Sequence, residues 1–268
     1  MSWRKIFCLC AAVLFLSGCW QHNVDEAVLR QNIGELLDRY QRGVNELNRG
    51  LLESVISDKF SFYEKDRAAR IDGLLTMTAL IDRMTYSNIR VENYKIFADV
   101  QTEGSIILRP EVQIPLFKPL PFMSGQLKSR AVFAFLYEED GGLKIFAEDQ
   151  VLTEKEAVWG DQPPVIINPV LSRYRAAPGD QLEVSFQLDK AGNDVAFVFV
   201  NEQMLGGYAL DEYGGSDVTY ALKVPAELKR GDSFEVRLMI FGGRLDLNNP
   251  QQADLQGAAV RSYILQVR

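Results

Sequence analysis

From Val28 to Leu47 the apolar residues return every three or four positions: Val28, Leu29, Ile33, Leu36, Leu37, Tyr40, Val44 and Leu47. Arg30, Glu35, Asp38 and Arg39 fill the gaps. A 3.6-residue turn gathers such a set on one face, so the spacing predicts an amphipathic helix over residues 25–48. Gly50 interrupts it, and a shorter helix is expected over 51–57. Phe60-Ser61-Phe62-Tyr63 reads as a short extended piece. Leu74, Leu75, Met77, Leu80, Ile81 and Met84 again have helical spacing and predict a helix over 72–84.

Beyond residue 84 the pattern turns strand-like. Ile89, Val91 and Tyr94 to Phe97 suit one strand, residues 104–108 a second, 131–137 a third and 143–151 a fourth. The last two are joined by Glu138-Glu139-Asp140-Gly141-Gly142. Asp-Gly between apolar runs signals a hairpin, because glycine takes the positive φ that the turn needs. Residues 153–162 have the composition of a linker, and Pro163-Pro164 forces an extended chain after them. Later, Leu182, Val184, Phe186 and Leu188 alternate cleanly, as do Val218, Tyr220, Leu222 and Val224, and Phe234, Val236, Leu238 and Ile240. Residues 195–200 are apolar on both faces, which fits a central strand, and 165–174 and 258–267 supply end strands. Turn signals fall between them, including Gly192-Asn193, Gly206-Gly207 and Gly242-Gly243.

Helices followed by antiparallel strands form an α+β layout. The long first helix, the segment Asp58-Lys59-Phe60-Ser61-Phe62-Tyr63, the helix over 71–84 and the hairpin over 130–152 together resemble the NTF2-like (SnoaL-type, cystatin-like) cone. That resemblance spans residues 24–152 and implies helices laid on a curved antiparallel sheet. The C-terminal part, with about seven short strands separated by turns, resembles an immunoglobulin-like β-sandwich without the Cys…Trp…Cys hallmark. The expected organisation is therefore a leader over 1–18, a tether over 19–23, an α+β cone over 24–155, a linker over 156–164 and an all-β sandwich over 165–268.

The N-terminus has a different logic. Arg4 and Lys5 precede an apolar run from Ile6 to Leu16, the charge order of an export signal. The run is far shorter than the ~20 residues of a membrane-spanning helix. Leu16-Ser17-Gly18-Cys19 resembles the lipobox of bacterial lipoproteins. The resemblance implies cleavage between Gly18 and Cys19, a diacylglycerol thioether on Cys19 and N-acylation. Trp20 follows where an aspartate would signal inner-membrane retention. In a Gram-negative host this implies an outer-membrane protein facing the periplasm, and otherwise a cell-envelope protein. Cys8 and Cys10 leave with the leader, so the mature chain keeps no thiol for a disulfide.

Composition narrows the chemistry. The 268 residues are 47% hydrophobic with a net charge of −7, which supports packed cores and disfavours nucleic acid as a partner. The single histidine, His22, lies in the tether, so Ser-His-Asp and Cys-His catalysis have no residues to use. Neither a metal nor a nucleotide cofactor has a motif. The loop over 246–254 is polar but lacks the calcium-loop pattern. The NTF2-like resemblance implies a pocket, for which Tyr63, Asp66, Arg70, Asp99 and Arg109 are candidates. Against this, Asp66 and Arg70 suit a helix start facing water and Asp99 suits a turn, so no catalytic residue is assigned. The proline-rich but apolar segment 110–123 offers Ile114, Leu116, Phe117, Leu120 and Phe122 as a partner-contact loop. The expectation is a membrane-anchored, non-catalytic envelope lipoprotein that binds a protein partner. The alternatives are a carrier or sensor of a small molecule and, behind it, an NTF2-like isomerase or hydrolase.

Overall fold

The structure, a computed structural model, describes residues 25–62, 65–77, 79–108, 123–189, 192–201, 203–245 and 253–268. The leader, Gly18, Cys19, His22, Tyr63, Arg109, the partner-loop residues Ile114, Leu116, Phe117, Leu120 and Phe122, and loop residues 246–252 lie outside these.

The chain divides into two compact units, Met1–Glu35 and Leu36–Arg268. The described part of the first is the start of helix α1 (Glu26–Asn45). Asp25 Oδ1 accepts from the Ala27 amide at 2.9 Å, and Glu26 pairs with Arg30 one turn later at 2.7 Å. Both acids sit where the helix dipole favours negative charge.

In the second unit α1 runs to Asn45. Then come α2 (Arg49–Val55), the short strands β1 (Ser61–Phe62) and β2 (Lys65–Asp66), and α3 (Arg67–Leu75). Asn48 caps α2 by accepting from the Leu51 amide at 3.0 Å. Strands follow: β3 (Ala79–Glu92), β4 (Lys95–Leu108), β5 (Met123–Tyr137), β6 (Leu143–Gly160), β7 (Ile166–Leu171), β8 (Arg175–Ala176), β9 (Gln181–Leu188), β10 (Val195–Val200) and β11 (Gln203–Ala209). A single helical turn, α4 (Leu210–Tyr213), precedes β12 (Asp217–Lys223), β13 (Ser233–Leu245) and β14 (Ala253–Val267).

One large sheet runs β11-β10-β13-β14-β6-β5-β4-β3, antiparallel throughout, with β8 added in parallel on β14. A three-stranded sheet, β12-β9-β7, is separate. Leu182, Val184, Phe186 and Leu188 of β9 meet Ala196, Val198, Val200, Val236, Leu238, Ile240, Tyr263, Leu265 and Val267 of the large sheet in one buried cluster. Each fully buried aliphatic side chain there contributes about 1.5–3 kcal/mol. Tyr263 is buried among them, and its hydroxyl donates to the Pro169 carbonyl of β7 at 2.9 Å. Burial pushes that phenol up to about 12, so it stays a donor.

The expected fold class is corrected in several places. Among the described residues strand makes up 59% and helix 19%, dominated by a large antiparallel sheet, and no NTF2-like cone of helices on a curved sheet is evident. The helix expected over 72–84 ends at Leu75, and Ala79–Glu92 is strand. Ala79 and Ile81 are buried while Leu80 is exposed, which is a two-residue period. A short apolar run fits both templates, and pairing along β4 decides between them. Residues 89–97 are two strands, because Asn93 and Tyr94, with φ of 49° and 63°, make a tight turn. The C-terminal part does place two sheets face to face. Its larger sheet is no self-contained immunoglobulin-like unit, however: β14 pairs onward with β6 over Thr153–Gly160, and β6 pairs with β5. Residues 156–160, in the expected linker, are strand. Gly206-Gly207, a turn signal by composition, lies inside β11. A side chain at Gly207 would meet the Phe197 ring across the strand pair at 3.2 Å, so the glycine makes room for that ring.

Candidate ligand cavity

Helix α1 is tied to the outer strand of the sheet by side chains. Asn45 accepts from the Ile81 amide at 2.7 Å and donates to the Ile81 carbonyl at 2.8 Å. Gln41 donates to the Ile81 and Asp82 carbonyls at 2.9 and 3.1 Å. These bonds satisfy backbone groups that an edge strand leaves open. One residue before Gln41, Tyr40 packs edge-on against Phe133 of β5, with ring centres 5.9 Å apart.

Asp66 caps helix α3, its carboxylate accepting from the Ala69 amide at 2.9 Å. Arg70 and Leu74, one turn apart, line the same space. Arg70 donates to the Tyr40 hydroxyl at 2.8 Å and forms an ion pair with Glu148 of β6 at 2.6 Å. Burial pushes the Tyr40 phenol well above its usual range; Arg70 opposes the shift and Glu148 adds to it. Burial alone would lower Arg70, but Glu148 and Tyr40 outweigh it and hold the guanidinium charged. The phenol and the guanidinium therefore stay protonated at any physiological pH.

These groups close one side of a cavity of about 410 Å³. Its floor crosses six strands. Ala79 and Ile81 of β3, Ile106 of β4 and Leu127, Ala131 and Phe133 of β5 make it apolar. Glu148, Gln150, Thr153 and Lys155 of β6, Gln266 of β14 and Ser233 of β13 make it polar. At about 4.8 Å between strands, the floor passes from greasy to hydrogen-bonding within a few strand widths.

A register shift builds the polar side. Ala131 pairs with Gln150 and Arg130 with Leu152, which leaves Val151 as an extra residue in β6. The bulge reverses the alternation, so Glu148 and Gln150 before it share the cavity face with Thr153 and Lys155 after it. Gln150 donates to the Leu152 carbonyl at 3.2 Å and to the Thr153 hydroxyl, holding the bulge.

The cations on the wall have carboxylate neighbours. Arg70 has Glu148; Lys155 lies 3.9 Å from Glu235, which also pairs with Arg237 at 3.0 Å. Burial alone would raise Glu235, yet Lys155 and Arg237 outweigh it and hold its carboxyl below the usual value. Three buried atoms of lining residues have no hydrogen-bond partner: Arg70 Nε, a donor, and Gln266 Oε1 and Glu148 Oε2, acceptors, the last of them 2.6 Å from Arg70 in the ion pair.

Of the expected pocket residues, Arg70 lines the cavity. Asp66 caps α3 instead, and Asp99 accepts from Asn88 at 2.8 Å on an exposed part of the sheet. Neither is among the lining residues. Tyr40, Glu148 and Gln266 were not anticipated: Tyr40 belongs to the apolar stripe of α1, and the other two look like solvent-facing positions of alternating strands. The adjacent apolar pair Val151-Leu152, set between Gln150 and Thr153, interrupts the alternation of the strand and is the signal for the bulge. No group of three or more metal-ligating side chains occurs among the described residues, and no described helix is long and apolar enough to cross a membrane.

The chain matches no family model, no curated protein and no solved structure.

Proposed function

We propose that this protein is an envelope lipoprotein that holds a small amphipathic molecule in the cavity between α1, α3 and the large sheet, as a carrier or sensor. The cavity carries the reading. Its volume of about 410 Å³ falls within the roughly 300–1,000 Å³ of small-molecule sites, and it joins an apolar floor to a few placed polar groups. The leader and Leu16-Ser17-Gly18-Cys19 support the anchor. Acyl chains on Cys19 would contribute about 0.8 kcal/mol per buried CH₂ and keep the cavity close to a bilayer. The reading is binding, not catalysis: the Tyr40 phenol and Arg70 are held protonated, and Glu148 is engaged by Arg70.

The test uses the full-length Cys19→Ala chain, which carries no acyl chain to compete for the site, and the fluorescent probe N-phenyl-1-naphthylamine. Saturable one-to-one binding that Ser129→Phe abolishes is expected, because the ring would occupy the cavity. Binding that is absent, or unaffected by Ser129→Phe, overturns the ligand reading. The anchor is tested by fractionation: Cys19→Ala moves the protein from membranes to the soluble fraction, and continued membrane attachment counts against lipidation.

A further inference from the structure

One cation of the cavity wall is both open and loosely held. Lys155 lines the cavity, and 26% of its side chain is exposed. The carboxylate it pairs with, Glu235, is not a lining residue and lies 3.9 Å away, beyond hydrogen-bond reach. Glu235 is already held by Arg237 at 3.0 Å. Two cations therefore share one carboxylate, and positive charge is left over beside the cavity. Elsewhere on the wall Arg70 and Glu148 cancel at 2.6 Å. Glu148 stands seven residues before Lys155 on β6, roughly 20 Å of strand, so its carboxylate does not oppose an anion placed at Lys155.

The neighbours of Lys155 suit an anion. Thr153, two residues earlier on the same wall, pairs across the strands with Ser129 of β5. Its hydroxyl accepts from Gln150, which leaves the hydroxyl proton to donate, and the Ser129 hydroxyl is free to rotate toward the same point. A buried carboxylate needs both an opposite charge and hydrogen bonds, and an ammonium with two hydroxyls offers both. The tail has its own place. Lys155 pairs with Leu127 of β5, and beyond Leu127 the floor is Ile106 of β4 and Ala79 and Ile81 of β3. From β6 to β3 is three strand spacings, about 14 Å, the length of a chain of roughly ten carbons.

We infer that the cavity takes a single-chain anionic amphiphile, with its carboxylate at Lys155, Thr153 and Ser129 and its hydrocarbon over β3 to β5. This rests on the ligand-binding reading above and names the class of ligand. Three probes with the same tail separate the two claims: decanoate, decan-1-ol and decylammonium, each displacing N-phenyl-1-naphthylamine from the full-length Cys19→Ala chain at pH 7.5. Decanoate is expected to bind at least tenfold more tightly than either of the others. Lys155→Met is expected to reduce that preference to threefold or less while decan-1-ol binds within twofold of its parent affinity, and Lys155→Arg is expected to keep the preference. Retained dye and decan-1-ol binding shows that a variant is folded. If Lys155→Met does not fold, the head-group series on the parent chain decides alone. Dye binding with decan-1-ol or decylammonium preferred, or with all three probes equal, overturns the head-group inference and leaves the cavity reading standing. A decanoate preference that survives in folded Lys155→Met also overturns it, as another group would be holding the head. Absence of dye binding overturns both.

Discussion

Strand β14 gives Tyr263, Leu265 and Val267 to the sandwich core and Ile264 and Gln266 to the cavity. The same backbone thus serves two surfaces that are finished differently. On the sandwich side, facing side chains from β9, β10, β13 and β14 meet in one buried apolar cluster. On the cavity side, Tyr40, Arg70 and Glu148 stand between helix and sheet, and space remains. Sheet alternation makes the division possible: neighbouring residues on a strand can be selected for unrelated tasks. The sandwich is built for packing, and the cavity wall accepts ions and unfilled volume.

The comparison predicts unequal costs. Phe186→Ala in the sandwich should cost about 3–5 kcal/mol in urea unfolding, because the surrounding side chains cannot close the void. Leu127→Ala on the cavity floor should fall near 2 kcal/mol, the low end for such truncations, as its neighbours already border open space. Equal losses at the two sites would remove the distinction.

Next in size is the ion pair. Arg70→Met leaves Glu148 with its charge and no cation, and should cost about 3 kcal/mol. Adding Glu148→Met should restore most of the loss, because the pair taken together is replaceable by packing. A double variant as unstable as the single one would mean that the pair itself supports the fold.

Tyr263→Phe removes one hydrogen bond across the sandwich and strands the Pro169 carbonyl, for about 1 kcal/mol. The smallest effect is pH-dependent. Glu138 accepts from Ser57 at 2.6 Å and pairs with Lys144 at 2.9 Å, and the Ser57 hydrogen bond, followed by Lys144, holds its carboxyl pKa below the usual carboxylate value. A carboxyl with a lower pKa in the folded state than in the unfolded chain stabilises the fold above the ordinary carboxylate range. That contribution disappears as pH falls through the folded value. Glu138→Gln should therefore flatten the acid limb of stability below about pH 4.5 and leave its slope near neutrality unchanged. An unaltered acid limb would show that the hairpin's ion pair is energetically silent.

Much of the secondary structure was legible. The helix expected over 25–48 is Glu26–Asn45, and the Asp140-Gly141 hairpin stands with Gly141 at φ +80°. Alternation located β9, β12 and the first half of β13 to within a residue or two. Residues 79–84 were misread because six residues with four apolar positions satisfy both periods. The β11 strand was missed because its two glycines look like a turn unless Phe197 is known to lie beside them. Of the cavity, Arg70 was a candidate only through the NTF2-like resemblance, which the fold does not support, and its place near a helix start pointed to solvent instead; Glu148 and Gln266 carry no local mark that separates them from exposed strand positions.

What the sequence determined by itself is local: the helical stripe from Val28 to Val44, the alternating strands, the positive-φ turn at Gly141, and a chain whose cysteines all lie at or before residue 19. These follow from backbone geometry and side-chain type within a few residues. The tertiary structure alone decided that β6 joins β5 to β14, that a bulge at Val151 re-aims Thr153 and Lys155, and that Tyr40, Arg70, Glu148 and Gln266 surround one cavity. The physical reason is that strand partners and buried polar neighbours come from distant parts of the chain. Their pairing energy depends on which surfaces meet, and a short-range pattern cannot express that.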